Sequence, residues 1–451
     1  MLTGRYGLRT GTGDVVSATA NNFLKTTEFT LPDAFAANSA LGYQLKQFGK
    51  WHLTASGGAN ANKGPSLIGG WPAYAGCLAG EVASYTSWTK VVTDGTTAGT
   101  SSTLTTTYAT TDLVNDAVPW IQAQTAANKP WFAWVAFNAP HFPFHLPSPT
   151  TLCPNYATLN PDPAAITNAN RHLYFEASIQ ALDKEIGRLL AAVDLTKTTV
   201  IFLGDNGTDT QVIQTPYSSV RGKGSLYEGG MRVPLYIRGP GVVSPGRTSD
   251  VLSQVVDIYS TILELAGISV SGTVPAGVTL DSQSLLPVLL NQPVTRPRLY
   301  SERFDTSTPT VGGRALRDDR YKIIRLQTGT DQFFDLQADP YENANLLVAG
   351  VNAMTAARQS YYYRLRFDLG RYTTATTAAT TNPTLQSGKF SVTVAQNTAA
   401  TQTMYRCTDL TNGFWAPTTG ATTSLSASNL TFSDPAPPAG SAFYSILSET
   451  P

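Results

Sequence analysis

TTVIFLGDNG, residues 198–207, is the stretch of sequence that decides the fold. Its first six residues, Thr198–Leu203, form a continuous run that is typical of a strand buried on both faces of a sheet. The run ends at Gly204, and Asp205 and Asn206 follow at once. The stretch therefore predicts a buried strand that delivers two polar side chains directly beyond its end.

The same alternation of strands and helices continues on both sides of this stretch. Apolar runs at 131–138 and 234–237 predict two further strands. Apolar residues at helical spacing predict helices over 112–124, 172–193 and 255–266. Strands that alternate with helices indicate an α/β fold with a mostly parallel central sheet flanked by helices. We expect this domain to cover residues 1–296.

The pattern changes after residue 296. Short strands are predicted at 298–303, 317–326 and 332–336, and a helix at 351–369. They indicate a small antiparallel α+β subdomain over 297–369. Residues 370–451 form a C-terminal extension rich in Thr, Ala and Ser, which is equally compatible with strands and with a loosely ordered linker.

Composition excludes several classes of function. The 451 residues include 31 basic and 31 acidic side chains and no basic run, which argues against nucleic-acid binding. No stretch reaches the roughly 18 apolar residues of a membrane span. Only 14% of the residues are charged, a pattern more common in exported proteins. Cys77, Cys153 and Cys407 leave two alternatives open, one disulfide with a free thiol or three buried thiols.

Lys50 and His52 are the first candidate functional residues, within the segment GKWHL. Two residues apart on an extended segment, their side chains would point the same way. A cation beside an imidazole suits an anionic ligand and a proton transfer. The alternative is a surface lysine next to a hydrogen-bonded histidine.

His141 is the second candidate, in NAPHFPFHLP at residues 138–147. This loop follows a predicted strand, at the edge where open α/β sheets bind ligands. Pro140 and Pro143 restrict the backbone on either side of His141. The alternative is a proline-rich turn with an incidental histidine, and we assign His145 to that structural role.

The remaining candidates are Asp205, Asn206 and Lys223. Carboxylate and amide oxygens suit Ca²⁺ or Mg²⁺ better than zinc, but two ligands cannot fill a shell of about six to eight. A D-N-G turn without metal is the alternative. Lys223 lies between two glycines that let the backbone approach a ligand closely. The P-loop spacing is absent, so we reject nucleotide binding.

These segments, taken in order, resemble the formylglycine sulfatases of the alkaline phosphatase superfamily. GKWHL is similar to that family's second signature, APHFP to its histidine loop, GDNG to its metal loop and GKGSLYEGGMRVP to its lysine loop. TGRY at residues 3–6 is similar to the end of the signature that begins C-x-P-S-R. The resemblance covers roughly residues 1–347.

The resemblance implies a role for each candidate. Asp205 and Asn206 would be two ligands of a Ca²⁺ ion, with Mg²⁺ as an alternative. Lys50 and His52 would contact the formylglycine hydrate, and His52 would help to collapse the sulfated intermediate. His141 and Lys223 would hold the sulfate oxygens and the leaving-group side. The implied substrate is a small-molecule or carbohydrate sulfate ester.

The N-terminus departs from the family pattern. The cysteine that becomes formylglycine, and two consecutive aspartates that bind the metal, would precede Met1. We therefore expect an N-terminally truncated chain that lacks the first strand and the formylglycine residue and is inactive as given. The alternatives are a phosphonate or phosphodiester hydrolase of the same superfamily, and a non-catalytic protein that binds sulfated ligands.

Four aromatic residues in the segment 71–88 have two possible roles. They could stack on a sugar or aryl ring of the substrate, or they could pack in the core, and we favour the core. These residues are Trp71, Tyr74, Tyr85 and Trp88.

Overall fold

A computed structural model describes most of the chain as two compact units. The described residues are 1–16, 22–54, 64–94, 101–304, 312–372, 384–386, 389–396, 401–407, 415–426, 429–438 and 442–449. One unit comprises Met1–Lys223 and Arg232–Thr295, and the other comprises Gly224–Met231 and Arg296–Pro451. The predicted domain boundaries at 296 and 369 stay predictions.

The first unit is built on a five-stranded mixed sheet. Its strands are β1 (Gln44–Gly49), β2 (Tyr74–Gly76), β3 (Trp88–Thr93), β4 (Ser101–Thr105) and β5 (Trp131–Ala136), in the order β4-β3-β2-β1-β5. Strand β1 runs parallel to β2 and β5, whereas β3 is antiparallel to β2 and β4. The α/β class is confirmed, and β2 and β3 can pair antiparallel because the connection between them contains no crossover helix.

Two further strands, β6 (Val200–Leu203) and β7 (Leu235–Arg238), pair antiparallel in a sheet of their own. Ile201 and Ile237 pack against the main core. Phe202 and Tyr236, which are cross-strand partners, are 40% and 68% exposed. The predicted strands are present, but the prediction that both faces are buried was wrong, because only one face of this pair lies against the core.

The described helices belong to both units. They are α1 (Gly7–Thr10), α2 (Leu31–Ala37), α3 (Pro65–Ile68), α4 (Ala109–Ala126), α5 (Arg171–Leu190), α6 (Glu228–Met231), α7 (Asp257–Leu265), α8 (Val270–Thr273), α9 (Leu286–Leu289) and α10 (Ala356–Gly370). Helix α4 packs against β1, β5 and α5. A capping box at Thr30 and Asp33 starts α2, which packs against α7 in the largest apolar cluster.

The aromatic residues of segment 71–88 lie in the core, as predicted. Trp71 and Tyr74 belong to the largest apolar cluster and Tyr85 and Trp88 to a second one, and each is at most 3% exposed. They are therefore not a stacking platform for a ligand.

The second unit contains an antiparallel sheet, β8 (Leu299–Arg303), β9 (Gly313–Arg317), β10 (Tyr321–Leu326) and β11 (Asp331–Asp335), in the order β11-β10-β9-β8. Helix α10 packs on β9 and β10. This sheet matches the small antiparallel region predicted after residue 296.

The C-terminal extension forms strands, which decides between the two alternatives for its described parts. They are β12 (Thr384–Gln386), β13 (Lys389–Ala395), β14 (Thr401–Cys407), β15 (Ala416–Pro417), β16 (Thr422–Ser426), β17 (Asn429–Asp434) and β18 (Phe443–Glu449). They form two antiparallel sheets, in the orders β12-β13-β17-β16 and β15-β14-β18.

The cysteines and the helices settle two further points. Cys77, Cys153 and Cys407 are buried and form no disulfide with one another, so the alternative with a disulfide was wrong. Within the ranges that the structure describes, no helix combines the length and apolar character needed to cross a membrane.

Candidate active site

Lys50 and His52 follow the end of β1 and are held by backbone hydrogen bonds on both sides. The Lys50 N–H donates to the carbonyl of Ala136, the last residue of β5 (2.8 Å), and the His52 N–H donates to the Leu78 carbonyl beyond β2 (3.1 Å). His52 has a φ of 46°, so the predicted extended conformation of this segment was wrong. The left-handed turn occurs because the chain leaves the sheet here, between the ends of two neighbouring strands.

Gly49 allows these strand ends to meet. Its φ is 92°, and a Cβ at this position would overlap the Ala136 carbonyl oxygen. A Cβ at Gly76, on the other side, would overlap the Gly49 carbonyl oxygen. Only glycine fits at such a close approach of two backbones.

The His52 imidazole is partly buried among positive charges. Burial lowers its pKa first, and the cationic groups of Lys50 and Lys223 lower it further, although a hydrogen bond to the Val16 backbone acts in the opposite direction. Gly80 lies so close to the ring that no side chain fits between them. The imidazole is therefore neutral at pH 7 and confined in position.

His141 lies in the loop after β5 and is fixed by three hydrogen bonds. Its N–H donates to the Asn138 carbonyl (2.9 Å), its carbonyl accepts from the Tyr85 hydroxyl (2.8 Å), and its Nδ1 lies 2.9 Å from the Phe142 carbonyl. A carbonyl partner assigns the proton to Nδ1, which leaves Nε2 for a ligand. Burial lowers the pKa of His141, and the Lys223 and Lys50 charges lower it further.

His145 supports this loop, as its assigned structural role requires. Its ring stacks on Tyr85 with centroids 4.0 Å apart. Nδ1 lies 2.9 Å from the Pro143 carbonyl and Nε2 lies 3.0 Å from the Tyr108 hydroxyl. Burial lowers the pKa of His145 to about 4. It is thus a neutral packing residue beneath the Tyr85 side chain that holds His141.

The loop with Asp205 and Asn206 contacts the loop with Lys223. The Lys223 N–H donates to the Thr208 carbonyl (2.8 Å), and a Cβ on Gly222 would lie 2.6 Å from the same carbonyl oxygen. Asn206 donates Nδ2–H to the Gly207 carbonyl (2.9 Å), which leaves its side-chain oxygen as the acceptor. Asp205 is exposed. The loop that carries the predicted lysine thus contacts the loop that carries the two predicted oxygen ligands.

Electrostatic interactions connect these loops into one site. Burial lowers the pKa of Lys50, the Asp205 carboxylate opposes this shift, and the Lys223 cation adds to it. His141 is under the influence of the same two lysines. Residues from four separate segments therefore lie within each other's electrostatic field, although they are as much as 173 positions apart along the chain.

Two further residues interact electrostatically with the candidate site, and the sequence analysis did not predict them. The Glu81 carboxylate acts to raise the pKa of both Lys50 and His141, and Cys77 also interacts electrostatically with Lys50. Both lie in the connection between β2 and β3, which has no periodic pattern. The glycines at 76 and 80 were the available signal, because closely spaced glycines mark places where backbones approach each other.

Only part of a metal site can be recognised. Asp205 and Asn206 offer two hard oxygen ligands, which suit Ca²⁺ or Mg²⁺. In the part of the chain that the structure describes, no group of three or more His, Cys, Asp or Glu residues could hold a metal ion. The two residues therefore fit the chemistry of a hard cation but do not complete its coordination shell.

Comparison with known proteins identifies the class to which this fold and this basic site belong. A family model described as Sulfatase matches residues 1–268, more than half of the chain. A second one, described as N-sulphoglucosamine sulphohydrolase, C-terminal, matches residues 221–363. The chain belongs to the sulfatase family, which confirms the resemblance seen in its sequence. That family implies a metal ion and a formylglycine in general.

Curated relatives are similar over part of their length. The chain is 29% identical to the N-acetylgalactosamine-6-sulfatase of Canis lupus familiaris over 203 residues, which are 43% of this chain and 35% of that protein. It is 33% identical to the choline-sulfatase of Rhizobium meliloti over 185 residues, 39% of this chain and 33% of that enzyme. The chain thus spans about a third of the length of these relatives.

Solved structures share the fold over most of the chain. Ps i-CgsB matches with a TM-score of 0.64 and 20% identity, over 82% of this chain and 80% of that one. The structure of BT4656 with its substrate D-glucosamine-2-N,6-O-disulfate matches with a TM-score of 0.59 and 20% identity, over 82% and 85%. At this identity the likeness concerns the fold alone.

Proposed function

We propose that this chain binds the sulfate group of a sulfate ester and serves its hydrolysis to an alcohol and inorganic sulfate. The observation that supports the proposal is the assembly of Lys50, His52, His141 and Lys223 in one electrostatic field, from segments far apart in sequence. The nonbridging oxygens of a sulfate ester carry negative charge. Preorganised cations and N–H donors stabilise that charge as it grows in the transition state.

The four side chains divide into two chemical types. Lys50 and Lys223 supply positive charge to the sulfate oxygens. The two imidazoles have lowered pKa values and are neutral at pH 7, so they can accept or donate a proton. We assign His141 and Lys223 to the sulfate oxygens and the leaving-group side. We assign His52, confined beside Gly80 next to Lys50, to a proton transfer in the hydrolysis.

Asp205 and Asn206 are the proposed ligands of a Ca²⁺ ion, with Mg²⁺ as the alternative. A bound cation would add positive charge at the sulfate oxygens, and formylglycine is the nucleophile that family membership implies. The Asp205 carboxylate also interacts favourably with the Lys50 cation. Its own contribution is thus to keep Lys50 charged beside the anion.

The proposed substrate is a small-molecule or carbohydrate sulfate ester. A choline-sulfatase and an N-acetylgalactosamine-6-sulfatase are among the relatives, and two solved structures with the same fold contain a glucosamine disulfate and a neocarrahexaose. The absence of a basic run makes a long polyanion such as nucleic acid a poor ligand. Export from the cytoplasm stays a prediction from composition.

Binding measurements on the full chain test the proposal. Inorganic sulfate and an aryl sulfate are titrated calorimetrically into the wild type and into Lys50→Met and Lys223→Met. Loss of a charge-assisted hydrogen bond of about 1.5–3 kcal/mol predicts roughly 10- to 100-fold weaker binding for each variant. Lys197→Met is the control, because that side chain is 83% exposed and outside the site. Equal affinities in all four proteins would refute the sulfate site.

Turnover assays distinguish the proposed reaction from its alternatives. Release of sulfate from the aryl ester supports sulfate-ester hydrolysis. Cleavage of an aryl phosphonate without cleavage of the aryl sulfate would replace it with a phosphonate hydrolase. Tight binding of the sulfate ester by the folded chain without any turnover agrees with a sulfatase that lacks its formylglycine residue and with a non-catalytic protein that binds sulfated ligands.

A further inference from the structure

Hydrogen bonds hold the peptide group that precedes Lys50 at both of its ends. Its N–H is that of Lys50, which donates to the Ala136 carbonyl (2.8 Å). Its carbonyl is that of Gly49, which accepts from the Cys77 N–H (3.1 Å) and from the Tyr74 hydroxyl (2.8 Å). This peptide plane therefore cannot rotate without the loss of at least one of these hydrogen bonds.

The peptide group that follows Lys50 is held in the same way. Its N–H, which belongs to Trp51, donates to the Cys77 carbonyl (2.9 Å). Its carbonyl, which belongs to Lys50, accepts from the side-chain amide of Gln47 (3.1 Å). Because φ and ψ of Lys50 relate these two rigid planes, fixing both planes fixes both torsions. The direction of the Cα–Cβ bond of Lys50, from which its side chain extends, is then fixed as well.

Two of these partners, Tyr74 and Gln47, contribute side-chain groups. Tyr74 is fully buried in the largest apolar cluster, and burial raises its pKa, so the hydroxyl keeps its proton and remains a donor. Gln47 lies on β1, three residues before Lys50. A carbonyl oxygen only accepts hydrogen bonds, so the amide group must present its Nε2–H to Lys50. Each side chain thus donates to one of the two carbonyls that flank the Lys50 Cα.

An amide is a costly choice of side chain for position 47. Gln47 is only 3% exposed, and the nearby β1 residues Leu45 and Phe48 are buried apolar residues. Within the ranges that the structure describes, the Gln47 Oε1 is buried without a hydrogen-bond partner. A buried acceptor of this kind destabilises a folded protein, and an apolar side chain of the same length would avoid that cost. Stability therefore does not explain the amide, whereas its bond to the Lys50 carbonyl does.

We propose that Gln47 and Tyr74 are positioning residues for Lys50. By holding the carbonyls on either side of its Cα, they fix the direction in which its ammonium group extends toward an anion. Both side chains are buried, so they act through Lys50 and not on the ligand. The inference rests on the proposed function, because it assigns a sulfate-binding role to Lys50. A displacement of about 1 Å can cost roughly 100-fold, so the support of this lysine should be visible in ligand affinity.

Two variants of the full chain test the inference by titration with inorganic sulfate. Gln47→Met keeps the length of the side chain but removes the donor, and we expect at least about tenfold weaker binding. Tyr74→Phe removes one hydroxyl, and we expect at least about threefold weaker binding, because the Gly49 carbonyl keeps its bond from Cys77. The carbonyl-carbon NMR signal of Lys50 should shift in Gln47→Met. The melting temperature of Gln47→Met should not fall, since the unpartnered oxygen is removed together with the donor.

Gln44→Met is the matched control. Gln44 lies at the other end of β1, and its side-chain amide donates to the Gly42 carbonyl (3.0 Å) in a bond of the same type. This variant should leave the Lys50 carbonyl signal and the sulfate affinity unchanged. Wild-type affinity in folded Gln47→Met or folded Tyr74→Phe, or an equal loss in Gln44→Met, would overturn the positioning role. If wild type and Lys50→Met bind sulfate equally, the proposed function fails instead.

Discussion

Replacement of Gly80 by alanine should displace the His52 imidazole. A Cβ at residue 80 would lie 2.5 Å from the His52 Nδ1 and 2.8 Å from its Nε2. Since the φ of Gly80 lies outside the left-handed region, alanine fits the backbone there without strain. The three atoms nearest to this Cβ all belong to the His52 ring, so the substitution acts first on that ring.

The size of the effect follows from these distances. Non-bonded carbon atoms rest at about 3.5–4.0 Å, so the ring must retreat by roughly 1 Å. A misplacement of that size costs up to about 100-fold in a catalytic or binding role, which corresponds to ~2.7 kcal/mol. The free energy of unfolding should change little. Gly→Ala at a compatible site stabilises a protein by about 0.4–1 kcal/mol, which offsets part of the free-energy cost of displacing the ring.

The assay uses the small number of histidines. The chain contains four, so heteronuclear NMR of the imidazole Cε1–H groups gives four signals to assign. In Gly80→Ala we expect the His52 signal to shift and sulfate affinity to fall by roughly 10- to 100-fold. The signal of His172, in α5, should not move.

Gly187→Ala is the matched control. Gly187 lies in α5, and a Cβ at that position meets nothing within 4 Å, so the variant should leave His52 and sulfate affinity unchanged. It should also gain up to about 1 kcal/mol of stability from the higher helix propensity of alanine. An unshifted His52 signal with unchanged affinity in Gly80→Ala would refute the reasoning.

Three further predictions concern the groups around the site. Because the pKa of His145 is lowered to about 4, the unfolded chain gains a proton there first, and the free energy of unfolding should fall by roughly 3 kcal/mol between pH 6.5 and 4. In His145→Gln, urea unfolding against pH should lose most of this decline; an identical decline would contradict it. Tyr85→Phe removes the bond to the His141 carbonyl and should cost about 1 kcal/mol, with a shifted His141 NMR signal as the check. Asp205→Asn should weaken Ca²⁺ binding at least about tenfold by calorimetry, and equal binding would exclude this residue as a ligand.

Sequence patterns located the strands that carry the site better than they described the pairing of those strands. The run at 198–203 predicts β6, and the loop with Asp205 follows it as expected. That β6 pairs antiparallel with β7, and leaves Phe202 and Tyr236 exposed, cannot be read from the run. A continuous apolar run indicates that a strand is buried, but it does not indicate which strand it pairs with. Strand pairing depends on residues that are distant in sequence.

The residues that support the candidate site and the segment after Lys223 could not be predicted from the sequence, for a related reason. Glu228 and Lys322 are 94 positions apart, and neither stands in a pattern that marks a buried pair. Glu81 and Tyr85 lie in a connection with no periodic spacing, where local sequence does not indicate which side chains turn inward. Their roles follow only from the tertiary fold.

The C-terminal extension shows why composition left two alternatives open. Its Thr and Ser content is typical of linkers, yet β13 and β17 pair through polar contacts. Ser391 and Ser433 are cross-strand partners with hydroxyl oxygens 2.8 Å apart, and Thr393 and Thr431 repeat the arrangement. Such cross-strand pairs stabilise a sheet without large apolar residues, so a polar sequence can form strands.

The crowding at Gly49 has a consequence for ligand binding. Because neighbouring backbones touch there, the path that leads to Lys50 is set by main-chain hydrogen bonds, together with bonds from the Tyr74 hydroxyl to the Gly49 carbonyl and from the Gln47 amide to the Lys50 carbonyl. The conformational entropy of that path is lost when the protein folds, so it is not lost again on binding. An anion that binds at the proposed site would therefore meet the Lys50 cation already in place. Changes of ligand preference should therefore be sought in the surrounding loops, since no side chain at position 49 can adjust this part of the site.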